Sequence, residues 1–128
     1  MGLTHQAEFL VQDRHTVPFV EPDWPGFADM PAVLATAIMI GFMEQTCIQA
    51  LRPFLQPGAH TVGTEVCMSH CSATLPGQQV KAVIELTQIE KRSLSFRVAC
   101  FDEQGLIGEG THKRVIIDVE RFMARLAN

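Results

Sequence analysis

Pro31-Ala-Val-Leu-Ala-Thr-Ala-Ile-Met-Ile-Gly-Phe-Met-Glu-Gln-Thr-Cys-Ile-Gln-Ala-Leu51 is the stretch on which the fold turns. It opens on a proline, which suits a first helical turn, and Pro53 follows its end. Ala, Leu, Met and Ile fill the interval, so the stretch predicts one helix over residues 31–51. Apolar residues lie on nearly every face, which marks a buried helix rather than a surface one. The apolar run from Ala32 to Met43, broken only by Thr36 and Gly41, is far short of the roughly 18 residues that span a bilayer.

Outward from this helix the period changes to two. Residues 5–11 and 14–20 read as short strands, followed by the Pro/Gly-punctuated loop Glu21-Pro22-Asp23-Trp24-Pro25-Gly26. From His60 on, Val62, Val66 and Met68 alternate with polar neighbours; so do Val80, Ala82, Ile84 and Leu86, then Leu94, Phe96, Val98 and Cys100. Each set reads as the inner face of a half-buried strand. The separators around Pro76-Gly77, Lys91 and Gln104 are short, so the strands are expected to be joined mostly as antiparallel hairpins. A further strand covers roughly 106–118, where Gly108 and Gly110 permit a bulge, and 119–126 reads as a short final helix. The result is an α+β class, with a curved antiparallel sheet wrapped around one long buried helix. Val83, Ala99, Phe101, Val115 and Ile117 occupy the alternate parity of their strands. That second partly apolar face predicts a homodimer, with a tetramer as a further option.

Composition bounds the function. The chain has 128 residues, 47% hydrophobic and 19% charged, with a net charge of −4. It reads as a single domain over 1–128, too apolar to be disordered. The mild acidity excludes an electrostatic footprint for nucleic acid or an anionic membrane. The residues Met1-Gly2-Leu3-Thr4-His5 show no basic stretch leading into an apolar one, and four cysteines are too few for a disulfide scaffold. A cytoplasmic protein with reduced thiols is expected.

Glu44 is the most informative residue. No other charged side chain stands between Asp29 and Arg52, and a carboxylate in an apolar helix is costly unless hydrogen-bonded or used. Thr36, eight residues earlier, lies within about 80° of it on the same side of the helix. Two readings stay open: Glu44 emerges at a solvated helix end, or it works. His70 shares strand parity with Val62, Val66 and Met68 and so points to the helix, either as an acid/base partner or as a carbonyl-bonded core histidine. Zinc at Cys67, His70 and Cys71 is disfavoured, because on a regular strand both thiols lie on the face opposite His70. No nucleophile elbow, phosphate loop or dinucleotide fingerprint is present, and no cofactor is expected. Thr111-His112-Lys113-Arg114 is either a solvated strand face or an anchor for a phosphate-bearing ligand.

Taken together, Ala35-Thr36-Ala37-Ile38-Met39-Ile40-Gly41-Phe42-Met43-Glu44, Val62-Gly63-Thr64, Ser69-His70, Ala73-Thr74-Leu75-Pro76-Gly77 and Ile107-Gly108-Glu109-Gly110-Thr111-His112-Lys113-Arg114 resemble the hot dog-fold thioesterases of the fluoroacetyl-CoA thioesterase type. The resemblance runs from about residue 30 to 122. It implies a dimer with two sites at the subunit interface and an acyl-CoA substrate. Thr36, Glu44 and His70 match the family's catalytic threonine, glutamate and histidine, Gly63 its loop glycine, and Arg114 a strand arginine near the site. Arg114 and Lys113 would then meet the CoA phosphates. The match is weakest over 20–30, the segment that shapes the acyl pocket, so the implied substrate is a short or small acyl-CoA. The alternative from another class is a non-catalytic module that binds acyl-CoA as a sensor or accessory subunit.

Overall fold

The structure is a computed structural model that describes residues 2–127. Strand β1 (Thr4–Leu10) leads into a 3-10 turn and two short helices, α1 (Val17–Val20) and α2 (Pro25–Ala28). Helix α3 (Thr36–Leu51) follows, then β2 (Ala59–Met68), β3 (Gln79–Glu90), β4 (Ser93–Asp102), β5 (Gly105–Asp118) and α4 (Val119–Leu126). The strands form one antiparallel sheet in the order β1-β3-β4-β5-β2. Helix α3 lies on one face of it. Met39, Met43, Cys47, Ala50 and Leu51 are buried against Val80, Ala82, Ile84 and Leu86 of β3 and Leu94, Phe96, Val98 and Cys100 of β4. The alternation seen in the sequence is therefore this inner face, and the expected α+β arrangement is the one observed.

Four local expectations are corrected. Residues 14–20 are not a strand: Asp13–His15 is a 3-10 turn and Pro18 stands in the first turn of α1, leaving Thr16 a lone bridge to Leu34. Helix α3 starts at Thr36 rather than Pro31, because Leu34 N–H donates to Thr74 O (2.8 Å) and Ala35 N–H to His15 O (3.0 Å). Those bonds hold the segment extended. The link from β2 to β3 is no hairpin, since β2 pairs with β5 while β3 lies between β1 and β4. Finally, α3 has an exposed stripe at Ala37, Gly41, Gln45 and Gln49, so it is covered on one side rather than all round.

The bulge in β2 matters most for the site. Its register with β5 shifts between Gly63 and Glu65, leaving Thr64 as the extra residue. One added residue exchanges the two faces of a strand. Before the bulge, Thr61 and Gly63 face inward opposite Ile116 and Arg114, and Val62 faces outward opposite Val115. After it, Val66 and Met68 face inward opposite His112 and Gly110. Val62 is thus on the outer face, contrary to the sequence reading. Gly110 and Gly108 also have a use: a Cβ at either would collide with the backbone carbonyl of Cys67 or Ser69, so only glycine lets the end of β2 pass so close. On the outer face Val83, Ala99, Phe101, Val115 and Ile117 are half-buried, and α4 runs beside the last two.

Candidate active site

Thr36 is the first residue of α3, and its Oγ1 lies 2.7 Å from His70 Nδ1 in a hydrogen bond whose direction the ring tautomer sets. His70 follows directly on β2. Flanking backbone bonds, Ser69 N–H to Glu109 O (2.9 Å) and Cys71 N–H to Ile107 O (2.7 Å), fix its position. Its Nε2 is buried without a hydrogen-bond partner among the described residues. Burial lowers the pKa of this ring below the ordinary histidine value, with the nearby Ser72 backbone pulling the other way. A buried imidazole nitrogen left open in this way is available to a ligand. Beside the pair is a cavity of about 270 Å³ lined by Val17, Val33, Leu34, Thr36, His70, Cys71, Ser72 and Ala73. Cys71 therefore borders this space. Cys47 does not: it is packed in the core, where burial pushes its thiol up to about 12.

Glu44 stands two turns further along α3. Its side chain is 34% exposed, and Oε2 accepts from Arg114 Nη1 at 3.0 Å. Arg114 is only 3% exposed. Its Nε donates to Thr61 Oγ1 (2.8 Å) and its Nη2 to Thr61 O (2.9 Å). His112 is fully buried with Nδ1 2.8 Å from Glu65 O. A carbonyl can only accept, so Nδ1 carries the proton and Nε2 is the acceptor for Arg114 Nη1 at 3.1 Å. Burial lowers the His112 pKa, keeping the ring neutral in this role. The result is a guanidinium gripped on three sides and aimed at one oxygen of Glu44. Gly63 covers the junction: a methyl group there would sit 2.8 Å from Glu44 Oε2.

The five residues singled out from the sequence thus fall into two groups. Thr36 meets His70, and Glu44 meets Gly63 and Arg114. The groups do not meet within one chain, because eight residues of helix separate Thr36 from Glu44 by about 12 Å along the axis. Neither open reading of Glu44 as freely solvated nor of 111–114 as a solvated face holds: Glu44 is half-buried and ion-paired, and His112 and Arg114 point inward. Four of the five N–H groups of Arg114 are engaged inside the protein, which leaves it poorly placed to anchor a phosphate. Lys113 faces outward, 3.7 Å from Glu65. The sequence reading does not single out Thr61 and takes His112 only as part of the 111–114 basic cluster. The signal for His112 was its parity with Arg114, which a buried carboxylate on the facing helix made worth following. Among the described residues no three His, Cys, Asp or Glu side chains gather as a metal site, so Cys67, His70 and Cys71 do not converge.

Comparison with known proteins follows this geometry. Residues 11–120 match the family described as FlK, fluoroacetyl-CoA-specific thioesterase. The fluoroacetyl-CoA thioesterase of Streptantibioticus cattleyicolor is 42% identical over 126 residues, covering 98% of this chain and 91% of that protein. A solved structure of the fluoroacetyl-CoA thioesterase FlK superposes with a TM-score of 0.97 at 40% identity, over 99% of this chain and 94% of that one. A thioesterase superfamily member from Thermus thermophilus gives a TM-score of 0.87 at 29% identity, covering 98% and 89%. The sheet wrapped on α3 is the hot dog fold. With nearly the whole length matched, this chain belongs to the fluoroacetyl-CoA-specific thioesterase family.

Proposed function

We propose that this protein is an acyl-CoA thioesterase that hydrolyses a small acyl thioester to the free acid and CoA, as a homodimer, in the cytoplasm, with the whole chain acting as one domain. Thr36, Glu44 and His70 carry the chemistry, and the active site is composed from two copies. The carrying observation is the separation of Thr36/His70 from Glu44. Phe42 leans on Phe9 of β1 (ring centroids 4.5 Å apart), whereas Glu44 lies over Gly63 of β2, so one flank of α3 is turned toward β2. β2 is an edge strand, which leaves backbone groups open to a second sheet. Thr36 and Glu44 lie four residues on either side of Ile40. A two-fold axis beside Ile40 would therefore bring Thr36 and His70 of one copy against Glu44 of the partner subunit. Unbridged cysteines, two of them exposed, agree with a reducing compartment.

The chemistry follows from the groups present. Arg114 occupies Oε2 of Glu44, and Oε1 has no hydrogen bond among the described residues. That free oxygen acts on the thioester carbonyl, directly or through a water it deprotonates. The Thr36 hydroxyl, held by His70, orients the reacting groups, and His70 moves a proton toward the leaving thiolate. A backbone N–H beside Gly63 receives the developing oxyanion. Arg114 holds Glu44 aimed through the contact at Oε2. It is a positioning residue rather than a phosphate anchor.

Thiol release over acyl-CoAs of graded length tests the reading. The reading of a small acyl substrate predicts the highest kcat/KM for acetyl- and propionyl-CoA and little activity on octanoyl-CoA. Binding without release from any of them would instead support the non-catalytic module. The pH profile is a second readout. A lowered pKa keeps His70 neutral to more acidic pH than usual, so the acid limb assigned to it falls below about 6.5. A limb above that value contradicts a neutral His70. Gly63→Ala is expected to keep the fold, measured by circular dichroism, and to lower turnover about tenfold or more, because the added methyl group displaces the Glu44 carboxylate.

A further inference from the structure

Between β2 and β3 the chain crosses the end of the sheet as a strap, residues 69–78. Ser69 N–H donates to Glu109 O (2.9 Å) and Cys71 N–H to Ile107 O (2.7 Å), both on β5. At the far end Gly77 N–H donates to Val11 O (2.8 Å) and Val11 N–H to Gln78 O (2.9 Å), just beyond β1. Among the described residues no backbone group of 72–76 bonds to the sheet. The tie of that interval to a strand is a side-chain bond: Thr74 Oγ1 donates to Asp102 Oδ2, at the end of β4, at 2.7 Å.

Thr74 is fully buried, and the direction of its hydroxyl is settled because a carboxylate only accepts. The other oxygen of Asp102, Oδ1, accepts from Gln104 N–H at 2.8 Å, which fixes the carboxylate in the turn between β4 and β5. A hydrogen bond to such a charged, fixed acceptor is stronger than one between neutral groups. Thr74 also makes a second long-range bond, its carbonyl accepting from Leu34 N–H at 2.8 Å. It therefore joins the sheet to the segment that leads into α3.

Both halves of the Thr36–His70 contact depend on this point. Leu34 precedes Thr36 by two residues, and His70 precedes Thr74 by four. With the 2.7 Å contact from Thr36 Oγ1 to His70 Nδ1, the Leu34–Thr74 bond closes a ring of two short chain segments. Helix α3 has no side-chain cap at Ala35 that could fix its first turn instead. On that side of the ring Leu34 and Ala35 are buried, and Ala35 N–H is held by His15 O. On the other side Ser72 and Ala73 are exposed and have no such bond, so the depth of the His70 segment is set at Thr74.

We propose that Thr74 and Asp102 are positioning residues, which act through the strap to hold His70 against Thr36 and so set the rate of the chemical step. Neither lines the cavity beside Thr36. The effect on turnover rests on the thioesterase reading, whereas the effect on the Thr36–His70 contact does not. A misplacement of about 1 Å in a reacting group costs up to about a hundredfold in rate, so an anchor remote from the substrate acts on kcat and leaves KM nearly unchanged.

The test uses Thr74→Val, which keeps the shape of the side chain and removes the hydroxyl, and Thr74→Ser, which restores it. Asp102→Ala removes the acceptor at the half-buried end of the bond. The direct readout is the nitrogen NMR shift of the His70 ring, with Thr36→Ala supplying the value for an unbonded Nδ1. Thr74→Val and Asp102→Ala are expected to move Nδ1 toward that value, and Thr74→Ser to keep it at the wild-type position. With acetyl-CoA, kcat should fall about tenfold or more in the Val and Ala variants while KM stays within a few-fold. Thr74→Val should add little to the loss caused by Thr36→Ala, because both act on one contact. An Nδ1 shift unchanged in both variants overturns the proposal. So does a kcat loss that adds in full to that of Thr36→Ala, or one that Thr74→Ser fails to restore. Should Thr74→Val fail to fold, the Nδ1 shift in Asp102→Ala decides alone. A moved Nδ1 signal in a protein whose wild type releases no thiol from any acyl-CoA leaves the Thr74–Asp102 anchor standing and sinks the thioesterase reading instead.

Discussion

Glu44→Gln should lower the turnover of acetyl-CoA by roughly two orders of magnitude or more, with the protein still folded. Glutamine keeps the size of the side chain, and its oxygen can still accept from Arg114 Nη1, so the grip of Thr61 and His112 on the guanidinium survives. What disappears is the negative charge on the oxygen left free to act. An amide neither attacks a thioester usefully nor takes a proton from water. The readout is kcat under saturating substrate, with circular dichroism and Tm confirming the fold. Turnover within a few-fold of the wild type would remove Glu44 from the chemistry and leave it as the structural counter-charge of Arg114.

The second large effect is a recovery. Thr36→Ala and Glu44→Gln, each nearly inactive alone, are expected to regain activity when mixed after subunit exchange. If the site combines Thr36 and His70 of one copy with Glu44 of the other, a mixed dimer contains one doubly damaged site and one intact site. With random exchange at equal concentrations half of the dimers are mixed, so about one quarter of wild-type activity should return. A site built within a single chain predicts none, because every chain in the mixture carries one lesion. Mixing either variant with itself is the control. Persistent inactivity of a mixture shown by mass spectrometry to contain mixed dimers would falsify the composite site.

Much of this was legible before any coordinates. The period-two segments at 80–86 and 94–100 are the inner face because β3 and β4 are central strands with regular pairing over those residues, and alternation survives wherever pairing is regular. β2 was misread at Val62 for the opposite reason. The bulge between Gly63 and Glu65 changes parity without any apolar residue marking where it happens. The start of α3 was placed too early because Pro31 is compatible with a first helical turn. The bonds that keep 34–35 extended come from Thr74 and His15, distant in sequence and invisible to a local rule.

The candidate site divides along the same line. Glu44 could be found from one chain property alone, a charge inside an apolar helix, and the family resemblance drew attention to Thr36, His70, Gly63 and Arg114. The roles did not follow. Arg114 reads as a phosphate anchor when only its charge is known, and as the clamp on Glu44 once its burial and its bonds to Thr61 and His112 are seen.

Local pattern thus determined the helix, the inner faces of β3 and β4 and the presence of a carboxylate inside an apolar helix, since each depends on periodicity or on the cost of burying charge. Strand order, the reversed parity in β2 and the neutral His112 were decided only by the tertiary structure. They depend on residues far apart in the chain meeting across β2 and β5. The distance that separates Thr36 from Glu44 was already implied by helical rise. Only the sheet, which places β2 at an edge beside that flank of α3, makes the distance the ground for the proposed composite site.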